Sequence, residues 1–146
     1  LGRRIAIENV SSYATFAESE LAEWEFLSAV AERADCSILL DVNNVHVSAV
    51  NHGFSADTYL AALPRERVVQ LHIAGFSRGR ELLLDTHGTA IDLAVWRLLE
   101  LALERFGALP LVLERDRNIP PLAELLDEAR KASALIARRV TRDDSE

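Results

Sequence analysis

The sequence predicts an α/β fold of four strand–helix units, arranged as one half of a TIM (β/α)8 barrel. Two observations predict the units. Short apolar runs at Ile5-Ala6-Ile7, Ile38-Leu39-Leu40, Val69-Gln70-Leu71 and Leu111-Val112-Leu113 read as strands covered on both faces, and amphipathic stretches lie between them. Alternation of that kind gives a parallel sheet covered by helices. A third observation selects a barrel over an open sheet. Each run ends in an acid or an imidazole, at Glu8, Asp41, His72 and Glu114, as in barrels whose chemistry comes from the C-terminal ends of several strands. A dinucleotide-binding sheet would carry a glycine-rich loop after its first strand, and Glu8-Asn9-Val10-Ser11-Ser12 has no glycine. A complete barrel takes roughly 250 residues. The 146 residues here supply a single domain, 1–146, with the N-terminal half of the barrel absent from the chain.

Each element has its own signal. The first strand is expected over residues 4–10. Thr15-Phe16-Ala17-Glu18 has the spacing of a capping box, and Leu21, Trp24, Leu27, Val30 and Ala31 recur at helical intervals through residues 18–34. The second strand takes residues 38–41, and a long polar loop follows over 42–54. Ser55 caps a short helix that Pro64 stops. The third strand covers residues 68–73, Gly75 allows a sharp exit, and a second long loop over 76–90 carries Asp85 and His87. Leu93, Trp96, Leu99, Leu103 and Phe106 form one stripe of a helix over 91–106, with Gly107 placed for a left-handed C-terminal cap. The fourth strand takes residues 110–114. Pro120-Pro121 then opens a last helix, whose buried side is expected at Leu122, Leu125, Leu126, Ala129 and Leu135. The polar tail over 141–146 is expected to fray. Trp24 and Trp96 are expected to be core.

Composition narrows the function. A formal net charge of −7 argues against nucleic acid as a partner, which would need a basic face. No apolar run approaches the ~18 residues of a membrane span. Cys36 stands alone, so no internal disulfide forms, and with no visible signal peptide a cytoplasmic location is expected. The chain opens on Leu1-Gly2-Arg3-Arg4 with almost no lead-in to its first strand, as a piece of a longer protein would.

Glu8, Asp41, His72 and Glu114 would share one rim, and Asp85-Thr86-His87 lies on the loop after the third strand. Carboxylates and imidazoles without a thiolate suit Mn, Fe or Zn. Carboxylates brought that close repel unless a cation compensates them. Taken singly, each residue has a plainer reading. A strand-end acid is ordinarily a helix cap or a solvated loop residue; His46, His52 and His87 read as surface or capping residues, and Asn9, Asn43 and Asn44 as turn residues. Repetition at four equivalent strand ends is what points to a metal.

Six segments carry a resemblance: Glu8-Asn9-Val10-Ser11-Ser12-Tyr13, Leu39-Leu40-Asp41-Val42-Asn43-Asn44-Val45, Asn51-His52-Gly53-Phe54, Leu71-His72-Ile73-Ala74-Gly75, Asp85-Thr86-His87-Gly88 and Glu114-Arg115-Asp116-Arg117-Asn118-Ile119-Pro120-Pro121. In order and spacing they resemble the DUF692 family, the multinuclear non-heme iron-dependent oxidases that include the methanobactin-biosynthesis oxidase. The resemblance covers nearly all of this chain and only the C-terminal half of the family's xylose-isomerase-like TIM barrel.

It implies a cluster of two or three irons, dioxygen as co-substrate and oxidative modification of a ribosomally made precursor peptide, usually at cysteine. It also implies a small partner protein that presents the peptide. Glu8, Asp41, Asn44, His72, Asp85, His87 and Glu114 match the metal-ligand positions, with Asn9, Asn43, His46, His52 and Asp116 as supporting residues behind them. No residue is assigned a further catalytic role. Two positions depart from the pattern. Phe76 stands where the family usually has a histidine after Ala-Gly, and His46 stands where it usually has an aromatic residue. Two other readings stay open: a Zn or Mn hydrolase or sugar isomerase on the same barrel, and an inactive truncated remnant. Half a barrel is expected to pair with its missing half or with a second copy.

Overall fold

The computed structural model describes residues 2–143. In chain order the first elements are β1 (Ala6–Glu8), α1 (Glu23–Arg33), β2 (Ser37–Asp41), α2 (Val42–His52), α3 (Ala56–Ala62) and β3 (Val68–Ile73). They are followed by β4 (Phe76–Arg78), β5 (Leu83–Asp85), α4 (Leu93–Phe106), β6 (Leu111–Leu113) and α5 (Leu122–Asp143). The main sheet has the order β1-β2-β3-β6 with every pair parallel, while β4 and β5 form a separate antiparallel hairpin. This is a mixed α/β architecture of βα units on a parallel sheet. Its strand order and direction match part of a TIM barrel.

The register sorts the side chains onto two faces. Ile7 lies beside Ile38, Leu40 beside Leu71, and Ile73 beside Leu113. Neighbours across strands share a face, and this one packs on the helices, against Tyr59, Leu60, Val95, Leu99 and Phe106. Burial of each large apolar side chain there contributes on the order of 2 kcal/mol. The alternate positions, Glu8, Leu39, Asp41, Gln70, His72 and Val112, point to the opposite face. A register shift between Ile38 and Leu39 accommodates an extra β3 residue there. All the strands therefore deliver their polar ends to one side and one end of the sheet.

Several boundaries differ from the sequence expectation. Helix α1 begins at Glu23, not near residue 18, because its N-terminus is closed by Glu25 Oε2 accepting the Ala22 N–H at 2.8 Å; Thr15 and Glu18 lie in the preceding loop. Residues 42–52 are a helix rather than a polar loop. Residues 76–85 are a hairpin rather than loop. The Ser55 cap forms, its hydroxyl accepting the Thr58 N–H at 3.3 Å, and β3 has the expected bounds. Gly107 ends α4 at φ +88°, a region that glycine tolerates, but with an extended ψ of −171° instead of a left-handed helical turn. Helix α5 corrects the expected buried side. Leu135 packs against the core and Leu125 is half-buried, as expected, but among the described residues Ala132 is the buried one, with Ile136 beside it, and Leu122, Leu126 and Ala129 are exposed. Trp96 is buried as expected; Trp24 is only half buried. The helix continues to Asp143 through part of the expected tail, and residues 144–146 lie outside the described residues. Among the described residues no helix is long and apolar enough to cross a membrane.

Candidate functional site

Asp41 and His72 are side by side in the β2–β3 register. Helix α2 starts directly after β2, so Asp41 is both the last strand residue and the N-cap. Its Oδ1 accepts the Asn44 N–H at 2.8 Å, and its Oδ2 is left 3.0 Å from His72 Nδ1. The same nitrogen donates to Glu8 Oε1 at 2.8 Å. On the other side of the ring, Nε2 lies 2.8 Å from Glu114 Oε2. His72 therefore has acids at both nitrogens. Glu114 is held beside β3 by its backbone, whose N–H donates to Ile73 O at 3.0 Å.

His87 completes the cluster. Its Nε2 is 2.7 Å from Asp85 Oδ1, and its Nδ1 is 3.1 Å from Glu114 Oε2 and 3.4 Å from Asp116 Oδ2. The two imidazoles meet edge to face with centroids 5.4 Å apart. His87 sits at φ +47°, an uncommon conformation for a residue with a side chain, costing on the order of 1 kcal/mol. The loop after β6 holds it there: the N–H of Asp116 donates to His87 O at 2.9 Å, and Asn118 Nδ2 donates to Gly88 O at 3.1 Å. At Gly75 the requirement is close approach, not a sharp turn. A Cβ there would stand 2.1 Å from Thr89 O, so only glycine lets this loop lie against the end of β3.

The supporting asparagines differ in role. Asn9, itself buried, accepts the Asp41 N–H at 2.8 Å and donates to Asp41 O at 2.9 Å. Its side chain thus continues the β1–β2 ladder one step past Glu8 and fixes Asp41. Asn43 donates to Asp85 Oδ1 at 2.8 Å. Asn44 donates to Asn9 O at 3.0 Å, leaving its own Oδ1 buried and without a hydrogen-bond partner. Two residues that sequence reasoning leaves unassigned also build the site. Asp85 N–H donates to the Tyr13 hydroxyl at 2.9 Å, and Asn51 clasps both backbone groups of Leu83. Both lie in the quoted motifs, which is the signal that could have found them. The remaining histidines lie apart from these contacts. His52, at the far end of α2, is 3.0 Å from Ser12 Oγ. His46 packs on Phe76 at 5.1 Å, and burial pushes its pKa below the ordinary value. His46 and Phe76, the two positions that depart from the resemblance, are thus in contact.

Five carboxyl groups face two imidazoles, and this sets the electrostatics. Burial disfavours a charged His72, but Asp41, then Glu8 and Glu114, outweigh it and raise its pKa to about 9. Asp85 chiefly raises His87 to about 8, against burial and the charge of His72. Distance and direction disagree in this cluster. His72 Nε2, both nitrogens of His87 and Asp41 Oδ2 are buried within ion-pair distance of partners, yet none makes an aligned hydrogen bond. These atoms therefore crowd together at short distances without pairing into hydrogen bonds. Two groups, Glu8-Asp41-His72 and His72-His87-Glu114, each offer three ligand atoms within 4.8 Å of one another.

A family model described as "RiPP precursor modification enzyme MbnB/TglH/ChrH" matches residues 1–137. The chain belongs to this family. Among curated proteins, the UPF0276 protein of Anaeromyxobacter sp. (strain Fw109-5) is 53% identical over 94% of this chain and 48% of its own length. The UPF0276 protein of Rhizorhabdus wittichii is 52% identical over 90% of this chain and 47% of its own. That of Caulobacter vibrioides is 51% identical over 92% and 48%. The chain spans about half the length of these relatives. The family is one of enzymes that modify ribosomally made peptides, and the cluster just described falls within the matched residues.

Proposed function

We propose that this chain is the C-terminal half of a TIM-barrel enzyme that oxidatively modifies a ribosomally made precursor peptide, at cysteine, using iron and dioxygen. The N-terminal four units would come from the rest of a longer protein or from another chain, and a small partner protein would present the peptide. The observation that carries the metal reading is His72, with acids at both ring nitrogens and buried donor atoms that are close but misaligned. Such atoms fit a cation better than they fit each other. Glu8, Asp41 and His72 would hold one ion through His72 Nδ1, and His87 and Glu114 another, because a neutral imidazole offers a single lone pair. Asp85, Asn44 and Asp116 are near enough to join them, for two or three irons in all. An oxygen- and nitrogen-only donor set is compatible with iron.

When bound, the iron supplies the electron transfer to dioxygen that no side chain can perform. The chain's own residues do the rest. Asn9 fixes the Asp41 backbone, the α2 N-terminus fixes its Oδ1, and Asn43 fixes Asp85, so the acids are oriented before a metal arrives. His72 and His87 give up protons as metal enters, because only neutral imidazole ligates.

The test is metal analysis of the full-length protein purified without air. Iron is expected, and Glu8→Gln with Glu114→Gln should lower its content by half or more, an estimate of about tenfold in affinity per lost anionic partner. Full iron occupancy in that double variant would sink the ligand assignment. Zinc or manganese in place of iron would move the reading to a hydrolase or isomerase on the same barrel.

A further inference from the structure

The segment between β1 and α1 walls a groove of about 870 Å³. Trp24 forms part of its lining, with its ring edge-on to Phe54 at 5.3 Å and to Tyr59 at 5.6 Å. Phe16 and Phe26 also line it and stand 72% and 60% exposed. Exposed aromatics gathered around one concavity mark a binding surface more often than scattered ones do. The charged lining is one-sided: Glu18, Glu20 and Glu23, with no Lys or Arg. Glu23 is the least solvated of the three. Tyr59 donates to its Oε1 at 3.2 Å, yet burial dominates and holds its carboxyl above the usual range, against the pull of Tyr59 and His52. A cation lying in the groove would compensate that burial. The lining also includes Ser12, next in the chain to Tyr13, whose hydroxyl accepts the Asp85 N–H, so one segment serves both the groove and the carboxylate–imidazole cluster.

We propose that this groove binds a segment of the substrate peptide in which apolar or aromatic side chains alternate with Lys or Arg. The proposal rests on the peptide-modifying reading above and names the kind of peptide. Aromatic floors take apolar side chains and, over their faces, cations. The acids decide between a peptide and the rest of the barrel as occupant. An apolar helix packed into the groove would bury Glu18 and Glu20 without partners, at a cost a basic peptide does not incur.

The experiment uses the full-length protein stripped of metal and the fluorescence anisotropy of two labelled decapeptides, one alternating Phe and Lys, the other Phe and Glu. The Phe/Lys peptide is expected to bind at least about tenfold more tightly, and Phe16→Ala with Phe26→Ala to weaken it about tenfold. Glu18→Gln with Glu20→Gln should weaken it about fivefold and narrow the gap between the peptides, while Glu104→Gln on α4 leaves binding unchanged. Wild-type affinity in both groove variants overturns the proposal. So does a lowered unfolding temperature in Phe16→Ala with Phe26→Ala at unchanged peptide affinity, which would assign the groove to packing within the whole protein. Because binding is read without metal or turnover, failure of the iron reading leaves this measurement standing.

Discussion

Asp41 serves two neighbours through two oxygens. One caps α2 and the other faces His72, so the plain reading of a strand-end acid as a helix cap and the reading as a ligand both apply to one side chain. The consequence of the acid-rich setting is a pH dependence with a definite sign. His72 is raised from 6.5 to about 9 and His87 to about 8. In metal-free protein the protonated rings therefore add stability that is fully present below pH 6.5 and is lost as pH rises toward 9. The His72 part is at most about 3 kcal/mol, reduced because Glu8 and Glu114 are 42% and 41% exposed and screened by water. Metal binding runs the other way, strengthening as the same protons leave. Thermal unfolding of chelated full-length protein should fall in midpoint between pH 6.5 and 9, and the gain on adding ferrous ion should grow. A flat chelated profile would show that the imidazoles are not coupled to these acids.

At the scale of elements, what the sequence reveals and what it hides have different physical causes. The four strands and their polar ends were legible because a buried parallel strand needs a continuous apolar run and the site breaks that run at a fixed place. Helix α2 was not legible. Val42, Val45, Val47 and Ala49 are buried, but so are Asn43, Asn44 and Ser48, so no polar face marks a helical period. The β4–β5 hairpin has three residues per strand, too few for alternation to show. Site residues were legible by repetition, whereas Tyr13 and Asn51 act on backbone groups and leave no chemical signature. Two substitutions separate packing from positioning. Trp96 is buried in α4 under Lys131, 4.1 Å from its ring, and Trp96→Ala should cost on the order of 3 kcal/mol while folded protein keeps its metal affinity. Gly75→Ala should cost on the order of 2 kcal/mol by overpacking and also lower metal affinity about tenfold, because the loop that carries His87 must move. Unfolding midpoints and metal titrations of the two variants check the contrast. Unchanged metal affinity in Gly75→Ala would disprove that the Thr89 contact positions His87.

For the whole molecule, the surfaces left over are as informative as the core. Strands β1 and β6 are the two edges of the parallel sheet, and a strand edge presents unpaired backbone groups. The face opposite the helices carries Leu39, partly exposed, and Val112, exposed, below the polar cluster. The outer side of α5 adds Leu122 at 68% exposure, with Leu126 and Val140 on the same helix. In a closed barrel these three surfaces would meet the other half: edges by pairing, the inner face by packing across the barrel, and α5 against the neighbouring helix. The net charge of −7 favours solubility but covers none of them. The chain alone is therefore expected to associate, with itself or with a separately expressed N-terminal half, and adding that half should restore metal binding that the chain alone lacks. Light scattering and metal titration check this together. A stable, cooperatively unfolding 16.2 kDa monomer with full metal affinity would refute it, since the exposed edges and apolar faces would then need no partner.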